Sequence, residues 1–109
     1  MAIGAGILRV PKEAKKGEIV KVQMVITHPM EPGTRKDPQT GQLIPAYHLT
    51  KLELFFNNKL VSVIDMGGGV SANPFIGITL KVEESGTVKI SYEDNKGGKW
   101  EKTAEISVV

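Results

Sequence analysis

Two histidines, His28 and His48, are the side chains of this 109-residue sequence that titrate near neutrality, and four methionines supply its only sulfur because cysteine is absent. Imidazole and thioether together suit copper, and His28, Met30, His48 and Met66 sit at or beside segments that read as loops, so they form one candidate constellation: a small copper-binding module. Methionine is more often adaptable packing material, and no short fixed spacing ties these four together. No serine can be placed beside either histidine with a third group to orient it, so a hydrolytic triad has no support. His28 continues the apolar parity of the residues before it and precedes Pro29. That placement reads as a cap on a sheet edge, with the ring hydrogen-bonded to the following loop, ahead of any ligand role.

The glycines Gly67, Gly68 and Gly69 invite a phosphate-loop reading. No Lys-Ser or Lys-Thr follows them and no helix starts there to supply an N-terminal dipole, which excludes that chemistry. The segment 67–75 instead reads as a shaped loop, with Asn73 turned away from helical conformations by Pro74. Asp65 and Asp94-Asn95 offer oxygen ligands for calcium, but no spaced ligand loop joins them and turn chemistry accounts for them. Lys12, Lys15 and Lys16 lack aromatic company and read as a solvated turn. Trp100 alternates with Ile106 and Val108, which favours a core position over a sugar-stacking platform.

The elements that must position these residues are strands. Val20, Val22, Met24 and Ile26 alternate with polar Lys21, Gln23 and Thr27 over residues 18–28, the pattern of a half-buried strand. Residues 3–10 read as a first strand and 11–17 as a polar turn. The alternation vanishes over 29–45, where four prolines and two glycines mark a loop far longer than the usual four to six or so residues. It returns on a face of His48, Thr50, Leu52, Leu54 and Phe56. Asn57-Asn58 makes a tight hairpin into residues 60–65. Beyond the glycines, Ile76, Ile78, Leu80 and Val82 form one apolar row, Val88, Ile90 and Tyr92 another, and Trp100, Ala104, Ile106 and Val108 the last. No helical period appears. These signals predict an all-β, immunoglobulin-like antiparallel β-sandwich of about seven strands, a single domain over 1–109. Up-and-down connections would then gather loops 29–47, 66–74 and 94–98 at one pole.

Composition narrows the function classes. Fourteen basic against twelve acidic side chains give a net charge of +2, too little for the field a nucleic-acid or membrane-surface binder uses, so neither partner is expected. Without cysteine there is no disulfide, zinc-thiolate site or thiol nucleophile. The start, Met1 to Leu8, lacks a basic region and its apolar run is broken by glycines, so it does not read as a signal peptide or anchor.

The succession His28-Pro29-Met30-Glu31-Pro32-Gly33, Ile44-Pro45, Ser71-Ala72-Asn73-Pro74 and Asp94-Asn95 followed by Gly97 resembles the SoxZ family. The likeness includes Val10-Pro11-Lys12 and Glu84-Ser85-Gly86-Thr87. It implies a non-catalytic subunit of the thiosulfate-oxidising sulfur-carrier complex, without cofactor or metal, paired with SoxY, whose glycine-rich C-terminal arm bears the sulfur-carrying cysteine. It further implies transient contact with other Sox enzymes and a periplasmic location reached by co-export with a signal-bearing partner, and the surface that meets the partner would also allow a homodimer in isolation. His28, Pro29, Met30, Asn73, Pro74 and Phe75 are the partner-binding residues expected on that basis, with mixed outer-face residues such as Phe55, Thr79, Thr103 and Val109 completing an association surface. Pro32 departs from the threonine more usual in the family's motif. His28-Pro29-Met30 also loosely resembles superoxide reductases, whose iron site implies four histidines and a cysteine against two and none here.

Overall fold

Alternating apolar residues can be buried only if a second layer covers them, and the computed structural model, which describes residues 2–109 and leaves Met1 outside, shows how. Eight strands follow one another: β1 Gly6–Arg9, β2 Glu13–Ala14, β3 Glu18–Ile26, β4 Leu49–Phe56, β5 Lys59–Asp65, β6 Phe75–Val82, β7 Gly86–Asp94 and β8 Lys99–Val108. They form a three-stranded sheet in the order β1-β3-β6 and a five-stranded sheet in the order β2-β8-β7-β4-β5. Val20, Val22, Met24 and Ile26 of the first sheet face Leu52, Leu54, Val88, Ile90 and Ile106 of the second in one apolar core. The immunoglobulin-like sandwich read from the sequence is the fold.

The eighth strand is β2, which lies inside the segment predicted as a polar turn. Glu13 and Ala14 pair in parallel with Ser107 and Val108, while every other strand pair is antiparallel. The carbonyls of Lys12 and Ala14 accept the N–H groups of Ser107 and Val109, each at 2.9 Å, and Ala14 is buried. A strand of two residues is too short for any alternation to announce it. At the other end of the chain's first segment, the strand expected over residues 3–10 contracts to β1. Gly4 turns there with φ 87°, and a Cβ on it would lie 2.0 Å from the Trp100 ring.

The face proposed for residues 48–56 needs correction. A register shift between Leu49 and Lys51 puts Leu49 on the same buried side as Leu52 and Leu54, so His48 and Thr50 do not continue that row and are only half-buried. A bulge adds one residue to one strand, and everything beyond it changes face. The Asn57-Asn58 hairpin is as expected, with both residues at positive φ (51° and 66°), the backbone of a type I′ turn. Asn57 also accepts the Thr87 N–H through Oδ1 at 2.9 Å, tying the turn to β7.

Candidate functional site

Loops 29–47, 66–74 and 95–98 connect β3 to β4, β5 to β6 and β7 to β8 and meet at one pole, as strand direction predicts. Asparagines join them. His28 donates its N–H to Asn73 Oδ1 at 3.0 Å, and Asn73 returns its own N–H to the His28 carbonyl at 2.9 Å. Asn73 sits at φ 51°, a left-handed conformation that asparagine tolerates. Asn95 accepts the His48 N–H through Oδ1 and donates Nδ2 to the Ala46 carbonyl, both at 2.8 Å. Gly68 lies so close to Pro32 that a Cβ would come within 2.5 Å of its Cα, which is why the middle glycine of the three is pinned to the long loop.

Beneath these contacts lies a buried polar core. His28 is fully buried, and its Nδ1 accepts the Met30 N–H at 3.3 Å. That bond assigns the ring proton to Nε2, which donates to Asp94 Oδ2 at 3.0 Å. Asp94 Oδ1 accepts the N–H groups of Lys96 at 3.0 Å and Gly98 at 2.7 Å. Burial pushes the Asp94 carboxyl up, but the hydrogen bonds from His28, Gly98 and Lys96 outweigh it and hold the group below its ordinary value. Because His28 follows β3 and Asp94 ends β7, this bond stitches one sheet to the other. Aromatic rings close it in: Tyr47 meets His28 edge-on at 4.7 Å, Trp100 lies 6.5 Å away on another side, and Lys96 caps the Tyr47 ring at 4.2 Å. Trp100 stacks on Tyr92, whose hydroxyl donates to the Gly4 carbonyl at 2.7 Å and whose pKa is raised by burial.

What this arrangement can do chemically is limited by how completely its donors are used. Both nitrogens of His28 are hydrogen-bonded, and Met30 Sδ accepts the Leu49 N–H at 3.3 Å. His48 turns Nδ1 to its neighbour's carbonyl at 3.0 Å, and Met66 packs against the core. His28 and Met30 therefore support the pole from within. Among the described residues no group of three or more histidine, aspartate and glutamate side chains is disposed to hold a metal ion. Asp94 is consumed in the Asx-type turn that the sequence reading favoured over calcium.

Of the residues expected to meet a partner, His28, Met30 and Pro74 are buried and shape the pole from within, Pro29 is half-buried, and Asn73 and Phe75 are exposed. A partner at this pole would touch the last three. Sequence reasoning missed that Asp94, 66 positions away, is the partner of His28, and it missed the role of Tyr47. It also assigned the outward side of β3 to Lys21, Gln23 and Thr27 and passed over Ile19 and Val25, which share that parity. Two β-branched residues on a supposedly wet row were the available signal that this face is partly apolar.

A family model described as sulphur oxidation protein SoxZ matches residues 8–105. The chain belongs to the SoxZ family. Sequence comparison with curated proteins gives no match. Among solved structures, the sulfur carrier protein SoxY from Chlorobium limicola f thiosulfatophilum superposes with a TM-score of 0.63 at 15% identity, covering 96% of this chain and 79% of that one. Superoxide reductase (neelaredoxin) from Ignicoccus hospitalis gives 0.69 at 21% identity, covering 95% and 80%. The superoxide reductase of Nanoarchaeum equitans gives 0.63 at 19%, covering 93% and 90%. At these identities the structural likenesses speak for a shared fold. A place in sulfur oxidation follows from the SoxZ family match.

Proposed function

We propose that this SoxZ-family chain is a non-catalytic subunit of a sulfur-carrier complex that binds SoxY and helps to present it to the other Sox enzymes. The observation that carries the reading is the family match across residues 8–105. The chemistry of the pole agrees with it: both ring nitrogens of His28 and the sulfur of Met30 are already engaged in hydrogen bonds inside the fold. With no cysteine in the sequence, any thiol that carries sulfur has to come from the partner. The complex works in the periplasm, which this chain reaches bound to a partner that bears the export signal.

Co-expression with a SoxY protein followed by size-exclusion chromatography tests the pairing. One peak containing both chains at micromolar concentration is the expected result, and two independent peaks would overturn it.

A further inference from the structure

Three places on the molecule stand apart from the buried pole. A cleft between edge strands β5 and β6 is lined by mixed polar and apolar residues with charges of both signs. The long loop folds back on itself through bridges Glu31 to Tyr47 and Lys36 to Leu43, leaving Leu43 exposed near its tip. The third place, the outward face of the three-stranded sheet, combines shape, apolarity and charge in one direction.

Register places Ile7 opposite Val25 and Val25 opposite Phe75, so these three side chains form one row straight across β1, β3 and β6. Ile7 is 51% exposed and Phe75 66%, and Ile19 further along β3 is 67% exposed. A shallow hollow of about 110 Å³ opens between Ile7, Val25 and Phe75, with Arg9 and Gln23 at its border. Charge on the outward rows of this sheet comes from Arg9, Lys21 and Lys81, and no carboxylate stands on those rows. Lys81 is partnered by Glu83 just beyond β6. Among the described residues neither Arg9 nor Lys21 forms an ion pair with a carboxylate.

We infer that this face is the seat of the carrier subunit, which meets it with an apolar sheet face bordered by carboxylates; the inference rests on the SoxY pairing proposed above. Charge selects the occupant. A second copy of this chain would repeat Arg9 and Lys21 across the interface, whereas an acidic rim would neutralise them as water leaves. Area sets its extent. The 4, 9 and 8 residues of β1, β3 and β6 at about 3.3 Å each, on strands about 4.8 Å apart, give roughly 330 Å² in projection. A standard interface takes about 800 Å² from each partner, so the carrier continues past the sheet onto the adjoining pole, where exposed Asn73 directly precedes Pro74 and Phe75.

The test measures SoxY affinity by calorimetry for the unaltered chain, for Phe75→Glu, for the double variant Arg9→Glu with Lys21→Glu, and for Ser91→Lys, which lies between Glu53 and Glu101 on the opposite sheet. Circular dichroism melting confirms that each is folded. Phe75→Glu is expected to weaken binding by about 30-fold or more, as loss of a central aromatic anchor does. The double variant should weaken it by about 10-fold or more and flatten its dependence on salt. Ser91→Lys should bind as the unaltered chain does. Tight binding by the unaltered chain that Phe75→Glu and the double variant both leave intact would overturn the surface and leave the pairing standing. No binding by the unaltered chain would remove the pairing and the surface together. Dimerisation of the isolated chain in ultracentrifugation that Phe75→Glu abolishes, together with SoxY binding that Phe75→Glu leaves intact, would show that the occupant is a second copy.

Discussion

On the outward rows of the five-stranded sheet the charges alternate in sign and pair, with Lys51 3.6 Å from Glu53 and Lys89 3.5 Å from Glu101. On those of the three-stranded sheet the charges are basic and the row between them is Ile7, Val25 and Phe75. Both sheets turn equally apolar rows inward. The difference teaches that burial, not the outer surface, holds the sandwich together, so each outer face is free to serve a separate end. Paired opposite charges accompany the exposed Leu60, Val61 and Val63 of β5 on one face, whereas the apolar row of the other lies among basic residues alone.

That division can be broken most sharply at the stitch beneath both sheets. His28→Ala removes the donor that faces buried Asp94 Oδ2 and leaves a cavity between Tyr47 and Trp100, so urea unfolding at pH 7 should show a loss of about 3 kcal/mol. A loss below about 1 kcal/mol would mean that the sheets do not depend on this pair.

Asp94→Asn is expected to cost about 2 kcal/mol near neutral pH, because an amide cannot satisfy the His28 Nε2–H and both backbone donors at once unless the ring proton moves to Nδ1, which would oppose Nδ1–H to the Met30 N–H. The pH dependence has a definite sign. Asp94 titrates in the fold below its ordinary value of 3.8, so its contribution is fully present above that value and is lost as pH falls through the lowered one. Urea midpoints of the unaltered chain and the variant should therefore converge in acid. Curves that run parallel below pH 4 or so would contradict the assignment of the charge to Asp94.

Asn73→Ala loses the bond to the His28 N–H and puts alanine at φ 51°, for about 2 kcal/mol, while Asn73→Gly loses only the bond, for about 1 kcal/mol. Equal melting temperatures for the two variants would show that the backbone conformation carries no strain. Smallest of all, Lys89→Ala on the charged face should change stability by less than about 0.5 kcal/mol, since its Glu101 partner is largely solvated. A larger loss would erase the contrast between the inner and outer rows.

The sequence revealed most where a signal is repeated locally. Alternation in β3, β6, β7 and β8 located the core, and Asn57-Asn58 named its own turn. Strand direction alone put the three loops at one pole. The bulge near Leu49 escaped because one added residue changes parity without changing composition. The bond from His28 to Asp94 escaped because it joins residues whose neighbours in sequence have nothing in common. The pairing of Ile7 with Val25 and Phe75 likewise needs register between three strands, which no single stretch encodes. The same reason applies to the residues expected to meet a partner: the motif flagged His28 and Met30, which the fold turns inward, while Asn73 and Phe75 stay on the surface.

The two-residue strand β2 has a consequence for solubility. By occupying the end of β8 at Ser107 and Val108, Glu13 and Ala14 remove backbone groups that another molecule's strand could join. Pro11, which has no N–H to offer, and Lys12, Lys15 and Lys16 flank it. An incoming chain would meet a missing donor and a cluster of like charge before it found a partner for its ladder. Like charge at these lysines thus disfavours strand addition beside Ser107 and Val108.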